Sequence, residues 1–238
     1  VFEERARGSE FLDAPDSDPR LAEESYRFMK RVNRIGGGTR VVREFLESEL
    51  KDRPRAEPIR ILDIGAGAGD IPLAILGWAR RQGHRIEFTC IDFNAKALET
   101  AQQAIDRAGG DSSIRLVEAD IFAYQPVNDF DYAISSMTFH HFTEAEIHRL
   151  ITHLCGFVRR ALLINDLHRN LLNYLVCSIL VVPLDREIRH DARLSILRGF
   201  KPDELRTILR QHDPDPLVTR SWFSRVAGVV RFDRKGGK

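Results

Sequence analysis

The sequence predicts an α/β chain: a seven-stranded, mostly parallel sheet with helices on both faces, an N-terminal helical cap and a C-terminal antiparallel hairpin. Three observations predict it. Short apolar runs alternate with amphipathic stretches from Arg60 to Val158, a glycine-rich loop joins the first run to the first stretch, and the last two runs lie too close together to enclose a crossover helix.

Leu21 to Leu50 reads as helical, broken at Gly36-Gly37-Gly38, with Val42, Phe45, Leu46 and Leu50 on one face. Residues 1–52 are thus expected to form a helical preface, ahead of a main domain over 53–238. Arg60 to Ile64 is a strand that runs into glycines, and Ile71, Ala74, Ile75 and Trp78 follow at helical spacing. Glu87 to Ile91 is the second strand, then Asn94 caps a helix that buries Ala97, Leu98, Ala101, Ala104 and Ile105. Ile114 to Val117 and Tyr132 to Ser135 are further strands, and Thr143-Glu144-Ala145-Glu146 has capping-box form ahead of Ile147, Leu150, Ile151, Leu154 and Val158. Ala161 to Ile164 is the fifth strand, and Leu217 to Phe223 with Val226 to Phe232 is the hairpin.

Bulk properties narrow the function. The 238 residues, 43% hydrophobic, suffice for one substantial core. Lysine plus arginine number 36 against 35 acidic residues, so no strong field favours nucleic acid or an anionic membrane. Cys90, Cys155 and Cys177 have no metal or redox spacing and read as buried thiols in a reducing cytoplasm, and no metal site is expected. The uncharged stretch from Asn170 to Leu184 is shorter than the roughly 20 apolar residues of a membrane helix. Residues 1–30 lack the continuous apolar core of a signal peptide, and the start at Val1 rather than Met implies that a few native residues precede it.

Gly65, Gly67 and Gly69 lie between strand and helix, where missing side chains let the backbone turn sharply and approach a ligand. A dinucleotide fold would place its final glycine where Asp70 stands, so a pyrophosphate would meet an anion. A cofactor with a cationic methionine part and no phosphates suits Asp63 and Asp70 better. Asp92 ends the second strand, where a carboxylate accepts hydrogen bonds from both ribose hydroxyls, and Asp120-Ile121-Phe122 could hold adenine between an apolar side chain and a carboxylate.

In order and spacing, ILDIGAGAGD, IDFNAKALETA, EADIF and FDYAISSMTFHHF resemble the successive motifs of class I, Rossmann-like S-adenosylmethionine methyltransferases, over roughly Ile59 to Phe232. The resemblance implies S-adenosyl-L-methionine as cofactor and S-adenosyl-L-homocysteine as product. It implies that Gly65, Gly67 and Gly69 border the methionine part, that Asp92 binds the ribose, that Asp120 and Ile121 flank adenine, and that Asp63, Ala66 and Phe93 belong to the same cofactor site. Ser136 and Met137 would line the methyl-transfer side. Asn165-Asp166-Leu167-His168-Arg169 is similar to a small-molecule subgroup common in natural-product pathways.

Methyl transfer is an in-line displacement, for which a base is optional. For a phenolic acceptor, with a pKa of about 10, His140 or His141 at the edge of the fourth strand could take the proton, His140 slightly preferred; packing on the next helix is the other role open to either. His168 and Arg169 could orient an acceptor, or simply stand in a surface loop. His190, Asp191, Arg193 and Ser195 could complete a lid or open a solvated helix. The apolar run around Leu175, within a cover segment of about 167–200, could cover an apolar acceptor, or be a core helix or dimer surface. Arg31 and Arg34 could reach the cofactor carboxylate, and Arg31 could touch the acceptor. Arg231 to Lys238 reads as a solvated tail.

The expected activity is O-methylation of a small apolar hydroxylated metabolite, phenolic or polyketide-like. C-methylation of a quinone-type precursor and a non-catalytic cofactor-binding scaffold are alternatives; a nicotinamide oxidoreductase is set back by Asp70. The expected partner is the small-molecule acceptor, with no nucleic acid, and a homodimer is left open.

Overall fold

A computed structural model of the chain describes residues 2–11, 18–55, 57–221 and 224–232. Five strands, β1 (Ile59–Ile64), β2 (Ile86–Asp92), β3 (Ile114–Glu118), β4 (Phe130–Ser136) and β5 (Val158–Leu167), run parallel. β6 (Leu217–Ser221) and β7 (Arg225–Arg231) form the antiparallel hairpin, and the sheet order is β3-β2-β1-β4-β5-β7-β6. Trp222 and Phe223, expected in this hairpin, and 233–238 of the expected tail lie outside the described residues. The order reverses beside β1, so the crevice beyond the carboxyl ends of β1 and β4 is where this topology places a ligand.

Period-two alternation divides the strands between two cores. Ile61, Cys90, Tyr132 and Leu163 face one, with α2 (Gly38–Leu50) and α3 (Asp70–Gln82). Leu62, Ile91, Ala133 and Leu162 face the other, with α5 (Glu144–Leu154) and α8 (Pro202–Leu209). Cover on both sides explains why β1 reads as almost continuously apolar. Each fully buried aliphatic side chain contributes about 1.5–3 kcal/mol.

α1 (Pro19–Ile35) and α2 are separated by Gly37, whose φ of 85° makes the turn that the glycine run predicted. α2 buries Val41, Val42, Phe45, Leu46 and Leu50 in the main core, so the core crosses the boundary expected near residue 52. Asn94 caps α4 (Ala95–Arg107), accepting from Lys96 N and Ala97 N, and Thr143 and Glu146 form the capping box of α5.

After β5 come α6 (Leu171–Leu180) and α7 (Arg186–Arg198). α6 is not a core helix: Asn173 is its buried residue, while Leu171, Leu172, Leu175, Ile179 and Leu180 are exposed. Asp191 and Ser195 lie buried in the middle of α7 instead of opening a solvated helix. Among the thiols, only Cys90 is buried; Cys155 is exposed just past the end of α5, and Cys177 is half-buried on α6 with its Sγ toward Ala192 O of α7 (3.7 Å). Residues 2–11 form a strap that sequence patterning did not anticipate. Ala6 N donates to Leu197 O (3.0 Å), Arg5 Nη2 to the carbonyls of His140 (2.9 Å) and Phe142 (2.8 Å), and Phe11 N to Asp191 Oδ1 (3.0 Å). Among the described residues, no helix is long and apolar enough to cross a membrane.

Candidate active site

The glycine loop leaves β1 with Gly65, Gly67 and Gly69 at φ 69°, 52° and 68°, a left-handed backbone that favours glycine. A Cβ on Gly65 would collide with the Thr138 side chain, whereas one on Gly67 would meet nothing within 4 Å. The loop is thus clamped at one glycine and open at the next, a cradle with room for a ligand beside bare backbone. Gly65 N and Ala66 N donate to Ile91 O (2.8 and 3.1 Å), and Gly67 N donates to Asp92 Oδ2 (2.9 Å). Asp92 Oδ1 accepts from Asn94 N (2.9 Å), which holds the carboxylate at the lip of the cradle.

Asp63 is 3% exposed, and burial, reinforced by Asp70 and Asp92, lifts its pKa to about 8. Burial also raises Asp70, against a hydrogen bond from Asn33 Nδ2 (3.2 Å). Asp92, joined by Asp70 and Asp63 when a cation draws off their protons, favours a cation at this loop and opposes a pyrophosphate. Beyond β3, Ile121 is buried, and the exposed Asp120 accepts from Phe122 N through Oδ1 (2.9 Å). Phe93, 65% exposed, presents an apolar ring next to Asp92. These residues therefore share the β1–β2–β3 end of the crevice.

Ser136 and Met137 close β4 at the other end. Met137 has φ 59°, the one positive value outside glycine among the described residues, and such strain persists where surrounding contacts impose it. Those contacts come from Asn165, whose carbonyl accepts from Met137 N (3.0 Å) and whose Nδ2 donates to Ser136 Oγ (3.0 Å) and Gly38 O (3.1 Å).

The short 3-10 turn Phe139–His141 follows. His140 is 2% exposed; its Nδ1 is 2.7 Å from Asp166 Oδ1 and its Nε2 3.7 Å from Glu10 Oε1. Burial opposes the charged ring, but Asp166 and Glu10 outweigh it and raise the pKa to about 9. Glu10, despite burial, is held at about 2 by His140, His141 and Ser195. With its Nδ1 on Asp166 and its Nε2 facing Glu10, the buried His140 ring is turned into the fold, whereas His141 is the partly exposed member of the pair. The His141 ring stacks on it at 4.2 Å between centroids and is 25% exposed. Glu10, His140 and His141 keep their potential ligand atoms within 4.8 Å of one another, yet Arg198 Nη1 stands 3.7 Å from the Glu10 oxygen and already places a cation there.

The expectation for Arg169 is corrected. It is 1% exposed and its guanidinium is spent on the carbonyls of Phe2, Glu3 and Gly199 and on Glu204 (2.9 Å), so it ties the strap to α8 and cannot meet an acceptor. His168 is half-buried and bridges Phe200 through its backbone. Leu175 lies on the outward side of α6, and Arg31 lines a groove with Glu24, Arg27, Phe28 and Leu184. Sequence reasoning missed Glu10 and Asn33 and gave Asp166 no role; the one available signal was the polar pair Asn165-Asp166 ending an otherwise apolar strand.

Residues 61–160 match a family described as a methyltransferase domain. A curated relative, the probable cobalt-precorrin-6B C(15)-methyltransferase (decarboxylating) of Thermoplasma volcanium, is 34% identical over 70 residues, which cover 29% of this chain and 33% of that protein. The chain thus matches about a third of that relative's length. Among solved structures, the plantazolicin methyltransferase BamL with S-adenosylhomocysteine (SAH) has a TM-score of 0.68 at 16% identity, covering 94% of each chain. Magnesium protoporphyrin IX methyltransferase from Synechocystis PCC 6803 with SAH scores 0.54 at 16% identity, covering 82% of this chain and 81% of that one. The chain is thus similar to a methyltransferase domain over residues 61–160 and shares the fold of these solved methyltransferases.

Proposed function

We propose that the protein transfers the methyl group of S-adenosylmethionine to an oxygen of a small, apolar, hydroxylated acceptor. The observation that carries this reading is the set of carboxylates, Asp63, Asp70 and Asp92, around a loop whose Gly67 faces open space. When bound, the cofactor supplies an electrophilic methyl on a sulfonium. Asp63 and Asp70 favour its cationic methionine end, Gly67 gives it bare backbone, Asp92 accepts from the ribose hydroxyls, and Asp120 with Ile121 flanks the adenine. Ser136 and Met137 line the transfer side. His141 takes the acceptor's hydroxyl proton as the new carbon–oxygen bond forms, while His140 and Asp166 hold the turn that carries it.

Two proteins of the same fold, the mitomycin 7-O-methyltransferase and an O-methyltransferase of Nostoc punctiforme, carry oxygen acceptors in their names. Carbon methylation is the second reading, favoured by the curated C(15)-methyltransferase relative and by the CMeT domain of the citrinin polyketide synthase. The three free cysteines suit a reducing cytoplasm, and the balanced charge suits a neutral small molecule over nucleic acid.

The test is S-adenosylhomocysteine formation at saturating S-adenosylmethionine with matched panels of phenols, enolisable carbon acids and amines. Turnover with phenols, lost in Asp92→Ala, is expected. Turnover confined to carbon or nitrogen acceptors overturns the oxygen assignment, and binding without turnover on any panel supports a scaffold.

A further inference from the structure

We infer that the open face of α6, together with Arg27, Arg31 and Arg34 of α1, is a docking surface for an anionic lipid bilayer. From Asn170 to Leu184 the chain carries no charged side chain. In this stretch Leu171, Leu172, Leu175, Ile179, Leu180 and Val182 are half or more exposed, Ile179 at 71%. At 3.6 residues per turn, those on the helix fan over about half its circumference. The other half is used by the fold: the Tyr174 ring meets Phe2 of the strap (5.7 Å between centroids), Cys177 Sγ faces Ala192 O (3.7 Å), and Arg193 Nε donates to Ser178 Oγ (3.2 Å). A contiguous apolar patch of this kind on a folded chain marks an interaction site.

A cationic stripe borders the patch. Arg27, Arg31 and Arg34 lie at i, i+4 and i+7 on one face of α1, all exposed, with Ile35 (68% exposed) beside them. Arg27, Arg31 and Leu184 line one groove with Glu24 and Phe28. At the far end Ser224 joins Gly36, which ends α1, to Asn173 of α6: its Oγ donates to Gly36 O (3.1 Å) and its carbonyl accepts from Asn173 Nδ2 (3.4 Å). α1 therefore passes α6 in the opposite direction, and the arginines follow its edge. Between Glu24 and Glu44 the chain has no acid, and Asp185, the first acid after α6, is paired with Arg20 (3.5 Å). The net charge of the whole chain is only +1, so the attraction is local to this edge. Leucines among acyl chains with arginines at the headgroups are the pattern of a helix that lies in the plane of a membrane interface. α6, with ten residues, is about 15 Å long and does not span. A second copy fits this face less well. Paired helices of that length bury well under the roughly 800 Å² per partner of a stable interface. Extending the contact onto α1 would desolvate its arginines with no acid there to pair them.

Cosedimentation of the full chain with vesicles of phosphatidylcholine alone, or of equal parts phosphatidylcholine and phosphatidylglycerol, tests the surface. The wild type is expected to partition onto the anionic vesicles, less onto the neutral ones, and to be released by salt. Leu175→Asp with Ile179→Asp is expected to weaken partition onto anionic vesicles at least about tenfold with Tm unchanged. Arg27→Gln, Arg31→Gln and Arg34→Gln together are expected to cost about fivefold per charge on anionic vesicles and nothing on neutral ones. Where the aspartates lower Tm, the arginine variant decides. Failure of the wild type to partition onto anionic vesicles overturns the proposal. Partition that either folded variant retains in full also overturns it, since another surface then makes the contact. A wild-type dimer in analytical ultracentrifugation that Leu175→Asp with Ile179→Asp splits gives the face to a second copy and overturns the lipid assignment.

Discussion

Behind the glycine loop, Asp63 keeps a proton that an ordinary aspartate would have lost. Its folded pKa of about 8 lies above the unfolded value near 3.9, so between these values the folded state binds more protons and stability falls as pH rises. A ligand with an ammonium group at the methionine end favours the ionised form, so its binding near pH 7 should release a proton. Calorimetry in buffers of different ionisation enthalpy measures that number; Asp63→Asn should abolish it and weaken binding, and an unchanged proton count in the variant would assign the release elsewhere. His140 has a dependence of the same sign over a higher pH range. Its pKa of about 9 lies above the ordinary value of 6.5, so its contribution is complete below about 6.5 and disappears as pH rises through 9. His140→Ala leaves Asp166 buried without its partner and should cost about 3–5 kcal/mol in urea unfolding. His141→Asn should cost under about 1 kcal/mol yet lower kcat about 10²- to 10⁴-fold with KM nearly kept; a variant with full rate would exclude His141 as the base.

At the scale of elements, the strap at residues 2–11 sets the environment of the histidines. Glu10 brings a carboxylate to His140 Nε2 and is itself held by Ser195 Oγ (2.7 Å) on α7. Glu10→Gln should therefore lower the pH at which the His140 ring titrates in NMR and speed amide exchange at Ala6 and Phe11; unchanged titration would leave Asp166 alone responsible. Caps and glycine turns were legible because they are local: Asn94, Thr143 with Glu146, and Gly37 each act within a few residues. The strap was not, because its anchors are the carbonyls of Leu197, His140 and Phe142, which every residue possesses. For α6 the apolar composition left a cover, a core helix and a dimer surface open, and the fold excludes the core helix by leaving Leu171, Leu172, Leu175, Ile179 and Leu180 exposed.

For the molecule as a whole, a ligand that binds only the folded state stabilises it by mass action. S-adenosylhomocysteine at 100-fold its Kd should add about 2.7 kcal/mol, or roughly 5–10 °C in Tm for a chain of this size. NADH should leave Tm unchanged, and the reverse pattern would return the loop to the nicotinamide reading. Sequence alone determined the α/β class, the strand–loop–helix unit at Gly65–Gly69 and the acid at Asp92, because these depend on short periods, glycine stereochemistry and charges near the loop. Tertiary structure decided which histidine is buried between carboxylates, that Arg169 is a brace, and that Arg225 meets Asn33 inside the fold. Arg225 meets Asn33 across 192 positions and Glu10 meets Ser195 across 185, separations that leave no pattern along the chain. The protonation of Asp63 and His140 depends on burial and neighbouring charge, which exist only once the chain has folded.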